Sequence, residues 1–578
     1  MLRIPIGPLL AALLLAAPEA IAGQTLAPAD GPSHALVDEG RPVATIVLPK
    51  TPDELERHAA SEFQRYVKAI TGVTLSMVNE PRAPNGYGVW LGRTTASESA
   101  RFTLTQEALG RDGYAAEVGQ KGLILVGRCP IGTLFGVYDV IEREFGVRWC
   151  EPHETLGEVV PIAKTLSLGS FRRSFKPSFD YRWVDSGDWA LRQRMNVRVD
   201  IDGERIGVNW KWHFHTFCTL IPPDKYFDSH PEWFPLIKGK RKKSTRKHSH
   251  STQLCTSNPE VVARLAEGMI EVLDADPTIE IITLSPNDGD GFCECADCRA
   301  LDEPGRGWFA RYSKRLAILN QQIAKRVGKR HPKVKIKVGA YAMYARLPKI
   351  ENYKPEPNLI IHLCHLYFCH NHPIASHRCK MNDTYLPTDR FLPNQEFVNI
   401  LKQWRAVTDN LFIYEYYALG GWSKAKLLWP MVHTMRHDIP WYRDMGAKGF
   451  YTQTGPWKRA PLNAYIAAKL AWNADLDVDW LIEDFCKAFF EDAAEPMRQY
   501  LLEIEQAMVR NNRCISYGLL EGRARNLGPR IFTQATLDRL RSFLNDATKR
   551  TNRDVVRHRI AEIRSGFDAC ELSVARMR

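Results

Sequence analysis

The chain has 578 residues, which is too many for one ordinary hydrophobic core and indicates two or three domains. Hydrophobic residues make up 44% of it and charged residues 25%, proportions typical of a folded globular protein and not of a disordered chain. The net charge of +12 would suit an anionic partner, but no nucleic-acid recognition motif accompanies it, so we expect no nucleic-acid partner.

Residues 1–23 have the pattern of a signal peptide. Arg3 precedes an apolar stretch over residues 9–17, and Ala20-Ile21-Ala22 resembles a cleavage site. That stretch is shorter than the about 20 residues that span a bilayer, and no later segment is long and apolar enough. We therefore expect an exported protein, secreted or periplasmic, that is not inserted in the membrane.

Residues 34–160 predict a small accessory α/β domain. Its first helix is expected to begin at Thr51-Pro52-Asp53-Glu54, with Thr51 as N-cap and Glu54 closing a capping box. Apolar residues then recur at helical spacing until Gly72, which predicts the helix end. Residues 151–178 are rich in proline and predict a linker.

Predicted strands and helices alternate from about residue 175 to residue 475, which indicates a parallel sheet. The length suits a (β/α)8 TIM-like barrel, and counting places the apolar strand at 279–284 near the fourth position. Only helices are predicted from 476 to 578. We therefore predict an α/β fold class: a barrel with a small N-terminal α/β domain and a C-terminal helical region.

The most informative segment follows the strand at 279–284 and reads Ser285-Pro-Asn-Asp-Gly-Asp290. The carboxyl ends of barrel strands carry the chemistry of this fold, so Asn287 and Asp288 are candidate catalytic residues. The alternative is structural, because Pro-Asn-Asp-Gly is strong turn chemistry and Asx side chains hydrogen-bond their own backbone.

Other predicted strand ends also carry polar or aromatic side chains. Glu415 is the second candidate acid, and its alternative is a strand residue paired with Lys or Arg in the barrel core. The candidate substrate-binding residues are His213, His215, Tyr344, His372, Tyr416, Gln453 and Trp457. For His213 and His215 the alternative is a core or surface histidine. Two carboxyl groups among flat rings are typical of a carbohydrate-processing site.

The thirteen cysteines are an odd number, so at least one thiol stays unpaired even where disulfides form. Cys293, Cys295 and Cys298 lie within six residues, a spacing compatible with disulfides or with a structural zinc, which takes four N or S ligands. A second Cys/His cluster spans residues 364–379 and matches no standard zinc finger. Export favours disulfides, so we predict no cofactor, with a structural zinc as the alternative.

These motifs resemble glycoside hydrolase family 163, whose characterised members are endo-β-N-acetylglucosaminidases. The resemblance covers about residues 175–470 and is carried by Ser285-Pro-Asn-Asp-Gly with Cys293-x-Cys295-x-x-Cys298, by His215-Thr-Phe, by Tyr226-Phe-x-x-His230-Pro-Glu-Trp-Phe and by Phe412-Ile-Tyr-Glu415-Tyr. The N-terminal unit resembles the small domain that precedes the barrels of family 20 hexosaminidases and family 67 α-glucuronidases. The resemblance implies a (β/α)8 hydrolase whose partner is a glycan.

The resemblance also implies a retaining, substrate-assisted N-acetylglucosaminidase, in which the substrate's own acetamido carbonyl is the nucleophile. Asp288 would act as general acid and then base, with a pKa raised toward the working pH. Asn287 would orient the acetamide, and Glu415 would bind sugar hydroxyls or assist the developing positive charge. Many relatives have a carboxylate after the last barrel strand, where this chain has Thr452-Gln453.

Two other functions stay open. The basic run at 238–243 and the N-terminal domain favour an α-glucuronidase-like hydrolase of acidic polysaccharide, with Asp288 and Glu415 as an inverting pair about 6.5–9.5 Å apart. The alternative for the basic run is a solvated surface loop that binds no acidic polysaccharide. The missing carboxylate near Thr452 favours a glycan-binding barrel that does not cleave. The sequence makes no prediction for the oligomeric state.

Overall fold

The computed structural model describes residues 32–153, 155–244, 252–376, 379, 391–417, 426–453, 455, 457–516 and 527–578. The predicted signal peptide at 1–23 lies outside the described residues. The α/β class is confirmed: a small N-terminal unit precedes a curled parallel sheet, and helices follow it.

The N-terminal unit contains eleven strands, of which β11, β6, β7, β5, β3 and β4 form its main sheet in that order. The strands are β1 (Ser33–Asp38), β2 (Arg41–Pro42), β3 (Ala44–Leu48), β4 (Ser76–Asn79), β5 (Tyr87–Leu91), β6 (Tyr114–Gly119), β7 (Gly122–Gly127), β8 (Arg148–Trp149), β9 (Glu158–Val159), β10 (Leu166–Gly169) and β11 (Phe171–Phe175). Its helices are Glu54–Thr71, Thr95–Ser99, Gln106–Leu109 and Pro130–Arg143. The first and last of these helices pack against each other over the sheet, and Phe63 of one and Phe135 of the other are fully buried.

The start of the first helix differs from the predicted one. Asp53, and not Thr51, is the N-cap: its carboxylate accepts a hydrogen bond from the Leu55 N–H at 2.9 Å, and Glu56 closes the capping box. Asp53 prevails because its side chain and that of Glu56 together satisfy the first backbone donors of the helix. The predicted end is confirmed, since Gly72 is the left-handed C-cap with φ of 77°.

The proline-rich segment at 151–178 is not a linker, and that prediction is wrong. Its strand β10 pairs antiparallel with β1, and its strand β11 pairs antiparallel with β6. Pro152 and Pro161 lie before β10, and Pro177 lies after β11, so all three fall outside these strands, where a missing backbone N–H removes no ladder hydrogen bond. The N-terminal sheets therefore continue to Phe175.

The second sheet is the predicted barrel. Seven parallel strands pair in the order β12-β22-β21-β20-β19-β18-β15. They are β12 (Tyr181–Val184), β15 (Trp210–Lys211), β18 (Ile281–Thr283), β19 (Lys335–Ala340), β20 (Leu359–Cys364), β21 (Leu411–Glu415) and β22 (Gly449–Thr452), and two hairpins lie between them, β13 (Val199–Ile201) with β14 (Glu204–Ile206) and β16 (Leu236–Ile237) with β17 (Lys240–Arg241).

The two edges of the seven-stranded sheet meet through residue Val197. Its N–H donates to the Arg182 carbonyl in β12, and it forms a parallel bridge to Val208 just before β15. This short contact takes the place of a second barrel strand, so β18 occupies the fourth of eight positions. Trp183, Trp210 and Phe412 fill the interior at its centre.

Helices lie between most of the barrel strands, and further helices follow the last strand. Those of the barrel region are Gly187–Arg192, Phe217–Leu220, Pro223–Tyr226, Pro259–Ala275, Ala296–Ala300, Ser313–Arg330, Asn394–Arg405, Val432–Asp444 and Asn463–Trp472. The C-terminal helices are Val478–Phe490, Ala494–Asn511, Gly528–Ile531, Gln534–Arg550 and Asp554–Met577. Within the described ranges, every helix is too short or too polar to cross a membrane.

Candidate active site

A cavity of about 620 Å³ opens at the carboxyl ends of the barrel strands. Loops after β15, β18, β19, β20, β21 and β22 all contribute to it. The lining residues are His213, Phe214, His215, Thr252, Asn287, Asp288, Gly289, Asp290, Gly291, Trp308, Tyr341, Ala342, Met343, Tyr344, Leu366, Tyr367, Tyr414, Tyr416 and Gln453. Its position is the one at which enzymes with this fold carry their chemistry.

The loop after β18 places two carboxylates in the cavity wall. Asp288 is half-buried and Asp290 is exposed. Gly289 between them has φ of 144°, a backbone conformation that residues with a Cβ rarely adopt. The Gln253 side chain donates to the carbonyls of Asn287 and Gly289, at 2.7 and 3.0 Å, and so holds the backbone on both sides of Asp288.

Asn287 lines the cavity, but its amide is engaged by the protein. Its Nδ2 donates to the Thr252 carbonyl at 2.9 Å and contacts the Cys218 Sγ at 3.1 Å, and its Oδ1 accepts from the Cys218 N–H at 3.2 Å. Both amide hydrogens therefore have protein partners. This geometry braces the loop and leaves no amide hydrogen for the predicted acetamide-orienting role.

His213 and His215 both reach the cavity, in different environments. Burial above all, and then the nearby Lys337 side chain, lower the pKa of His213 to about 2, so this ring is neutral. Its ring packs 4.4 Å from Trp183 and 4.5 Å from Tyr451, centroid to centroid. The Nδ1 of His215 lies 2.8 Å from the Pro286 carbonyl, which can only accept, so the proton is on Nδ1.

Tyrosines form much of the remaining wall. Tyr414 and Tyr416 stack with ring centroids 4.5 Å apart, and the Gln453 Nε2 donates to the Tyr414 hydroxyl. Burial raises the pKa of Tyr341 and Tyr344 well above the ordinary value, with a smaller contribution from Asp288, so both hydroxyls stay protonated donors.

The backbone is strained on two sides of the cavity. His215 and Ala342 have φ of 56° and 49°, in the left-handed region that residues other than glycine rarely adopt. Such conformations cost about 1–3 kcal/mol each and persist where the surroundings impose them, which is common at functional sites.

Glu415 does not reach the cavity. Its carboxylate accepts hydrogen bonds from the His365 Nδ1, from the Tyr416 N–H at 3.2 Å and from the Tyr442 hydroxyl. Burial acts to raise the pKa of Glu415, but the charge and hydrogen bond of His365 and the hydroxyl of Tyr442 bring it below its ordinary value. The expected Lys or Arg partner is replaced by a histidine and a tyrosine.

Two further candidates lie away from the cavity. His372 is buried beside Cys369 and Cys514, and the Trp457 ring packs on Phe489. Conversely, the sequence reasoning did not select Trp308 or Asp290, which line the cavity. Trp308 belongs to a short helical turn between two strands, where no hydrophobic period marks it.

All thirteen cysteines lie among the described residues and none forms a disulfide. The disulfides that export favours are therefore not formed in this structure. Seven of the thirteen sulfur atoms lie in two groups. Those of Cys255, Cys293, Cys295 and Cys298 surround one point, and those of Cys369, Cys379 and Cys514 surround another together with His372.

Comparison with solved structures finds chains similar to this one. A family GH115 4-O-methyl-α-glucuronidase with specificity for decorated arabinogalactans matches with a TM-score of 0.55 and 13% identity, over 92% of this chain and 72% of that one. A GH138 enzyme targeting pectin rhamnogalacturonan II matches with 0.49 and 9%, over 92% and 86%. A Streptomyces plicatus N-acetyl-β-hexosaminidase matches with 0.44 and 11%, over 80% and 93%. At these identities the first match supports the fold alone.

Sequence comparison identifies two regions. No curated protein matches the chain. Residues 36–140 match the model of the glycosyl hydrolase family 67 N-terminus, so the predicted resemblance to family 67 is confirmed for this unit. Residues 153–502 match the model described as a domain of unknown function, DUF4838. Since this match spans more than half of the 578 residues, the chain belongs to the DUF4838 family.

Proposed function

We propose that this protein is a glycoside hydrolase that cleaves a neutral glycan at an N-acetylglucosamine residue, with Asp288 as general acid and base. The observation that carries the proposal is the cavity at the strand ends, with a half-buried carboxylate facing a wall of tyrosines. Aromatic rings offer flat apolar surfaces to the C–H faces of sugars, and a carboxyl group beside them can protonate a glycosidic oxygen. The family 67 N-terminal match and the resemblance to glycoside hydrolase family 163 support the same reaction class.

The charge of the cavity favours a neutral substrate over a uronate. Among the described lining residues, Asp288 and Asp290 are acidic and none is Lys or Arg. A uronate carboxylate is normally bound by a cation, often bidentately by Arg, and two nearby carboxylates would repel it. The inverting pair of the α-glucuronidase alternative also loses its second acid, because Glu415 is enclosed by His365 and Tyr442.

Gln453 is the residue we propose for binding the substrate acetamide. It follows β22, at the place where many relatives of the resembled family have a carboxylate, and it lines the cavity. Its Nε2 is engaged by the Tyr414 hydroxyl, while its buried Oε1 has no hydrogen-bond partner among the described atoms. A buried amide oxygen of this kind is an acceptor for an acetamide N–H.

A glycan-release screen tests the proposal. Purified protein would be incubated with N-glycans, chitobiose-linked oligosaccharides, aryl N-acetylglucosaminides and α-linked glucuronides, and the products identified by mass spectrometry. We expect release from the N-acetylglucosamine substrates by the wild type, loss of release in Asp288→Asn, and retained release in the matched control Asp290→Asn. Release from glucuronides alone would establish the α-glucuronidase alternative, and binding without release would establish the non-catalytic one.

We also propose that the protein is exported, on the pattern of residues 1–23. Expression in a bacterial host followed by fractionation and N-terminal sequencing is the test. A mature chain that begins near Gly23 or Gln24 outside the cytoplasm supports export, and an intact Met1 in the cytoplasm contradicts it.

A further inference from the structure

Four cysteines from two loops converge behind the candidate active site and form a four-cysteine cluster. Cys255, Cys293, Cys295 and Cys298 place their sulfur atoms within 4.8 Å of one another, and those of Cys255 and Cys295 are 3.7 Å apart. A tetrahedral zinc with Zn–S bonds of about 2.3 Å requires sulfur atoms about 3.8 Å apart. A disulfide instead requires two sulfur atoms at about 2.05 Å and places no demand on the other two. The convergence of four sulfur atoms on one point fits a tetrahedral metal and is not required by a disulfide.

The surroundings of the four-cysteine cluster suit thiolates. The Leu236 N–H donates to the Cys293 Sγ at 3.3 Å, and the Arg241 guanidinium lies 3.9 Å from the same sulfur. The Ser257 hydroxyl lies 3.1 Å from the Cys298 Sγ. Four thiolates and one Zn²⁺ carry a net charge of −2, and donors and cations aimed at the sulfur atoms compensate that charge, as outer-shell groups do at metal sites.

A second cluster brings three cysteines and one histidine together, with ligand atoms within 4.8 Å of one another. The His372 Nδ1 lies 3.4 Å from the Cys369 Sγ and 3.6 Å from the Cys514 Sγ, against about 3.5 Å for nitrogen and sulfur on one tetrahedral zinc. Cys379 completes the set, with its Sγ 3.1 Å from that of Cys514. The other ring nitrogen of His372 lies 3.4 Å from the Asn512 Oδ1, the outer-shell contact that fixes a ligating tautomer.

We propose that the chain holds two structural zinc ions, one in the four-cysteine cluster and one in the cysteine–histidine cluster formed by Cys369, His372, Cys379 and Cys514. All four ligand positions of each are filled by protein, as in structural zinc sites, and none of the eight residues lines the cavity. Binding would release the thiol protons to solvent and change no oxidation state.

The positions of the two sites show what each would stabilise. The four-cysteine cluster joins the loop that follows Asp288 to the loop that contains Gln253, whose side chain holds the backbone beside Asp288. The cysteine–histidine cluster joins the loop after β20, which supplies Leu366 and Tyr367 to the cavity, to the segment after the helix Ala494–Asn511. Each zinc would therefore tie a cavity loop to a second part of the chain.

Metal analysis of the full chain, purified without chelators, tests the proposal independently of any glycan. We expect two zinc ions per chain by inductively coupled plasma and native mass spectrometry, one in Cys295→Ser, one in Cys514→Ser and two in the control Cys129→Ser, whose thiol lies outside both clusters. If a variant fails to fold, Co²⁺-substituted wild type provides the second readout, since tetrahedral thiolate coordination gives visible absorption bands.

The contradicting results are specific to each site. A zinc-free wild type whose non-reduced peptide map contains a disulfide within either cluster overturns the proposal for that cluster. A variant that keeps the wild-type zinc content overturns the site that it was meant to remove.

Discussion

Two carboxylates lie at the ends of two barrel strands, and they differ in their environment: one faces the cavity and the other is buried in the protein. Asp288 follows β18 and faces the cavity half-buried, while Glu415 ends β21 and is 1% exposed within a closed hydrogen-bond network. Both segments have an acid where a barrel strand stops. The difference shows that the strand end alone does not make a carboxylate available to a substrate.

The alternation of side chains along β21 explains the difference. Tyr414 and Tyr416 line the cavity, so Glu415 between them points to the other face of the sheet. There it meets the helix Val432–Asp444 through the Tyr442 hydroxyl. Asp288 lies beyond the regular strand, in a loop whose conformation is set by Gly289 and Gln253, so strand alternation does not determine its direction.

The largest effect is expected for Asp288→Asn. Removing a general acid lowers turnover by about 10²- to 10⁴-fold, and because the side chain is half-buried, the free energy of unfolding should change by less than about 0.5 kcal/mol. Steady-state kinetics and urea unfolding measure the two quantities. A variant that loses turnover and stability together would show that Asp288 is a structural turn residue.

Glu415→Ala is expected to lower the free energy of unfolding, whereas Asp288→Asn is expected to lower turnover. Removing one partner of a buried ionic network costs about 3–5 kcal/mol, since His365 and the Tyr442 hydroxyl lose their acceptor. The matched control is Glu483→Ala, whose exposed side chain pairs with Lys487 and should cost less than about 1 kcal/mol. Equal stability of the two variants would contradict the bracing role.

The pH dependence of the free energy of unfolding also tests the buried role of Glu415. The pKa of Glu415 is lower in the folded protein than in the unfolded chain, where a glutamate has a pKa of about 4.3. Its contribution to stability is therefore complete above about pH 4.3 and is lost as the pH falls through the folded pKa. The titratable groups that face it are the following: His365, His370, Cys364, Tyr417, Tyr442 and Asp438.

We expect the free energy of unfolding of the wild type to decrease more steeply below about pH 4.3 than that of Glu415→Gln, measured by urea unfolding at a series of pH values. Parallel pH profiles for the two proteins would show that Glu415 titrates in the folded protein as it does in the unfolded chain.

The smallest effect is expected for Gln453→Ala. Losing one hydrogen bond to a substrate acetamide costs about 1 kcal/mol, or roughly fivefold in kcat/KM. The test compares a substrate that carries the 2-acetamido group with its 2-hydroxy analogue. An equal decrease for both substrates would place the role of Gln453 in holding Tyr414.

Much of the framework follows from the sequence. The predicted alternation of strands and helices from 175 to 475 matches the parallel barrel sheet, and the helices predicted after residue 476 are present from Val478–Phe490 to Asp554–Met577. The closure at Val197 is not predictable, because a single bridge carries no hydrophobic period. Strands β9 to β11 are not predicted, because they are short and the prolines around them indicate a linker.

The sequence predicts the residues whose side chains face the cavity. It does not predict the role of a residue whose side chain is engaged by hydrogen-bond partners distant in sequence. Asp288, His213 and His215 come together as expected. The roles of Asn287 and Glu415 depend on distant partners such as Cys218 and Tyr442, which no local pattern reveals. The β21 alternation was readable in the sequence and would have separated Glu415 from the cavity residues.

The most direct test of the contrast is the dependence of turnover on the leaving group. Asp288→Asn and Glu415→Gln would be compared with wild type on aryl N-acetylglucosaminides whose phenols range from strongly to weakly acidic. A general acid is needed only for a poor leaving group. We therefore expect the turnover of Asp288→Asn to approach that of wild type with the most acidic phenol and to fall progressively as the phenol becomes less acidic. The ratio of the turnover of Glu415→Gln to that of wild type should stay constant. A leaving-group dependence in Glu415→Gln and none in Asp288→Asn would contradict the account.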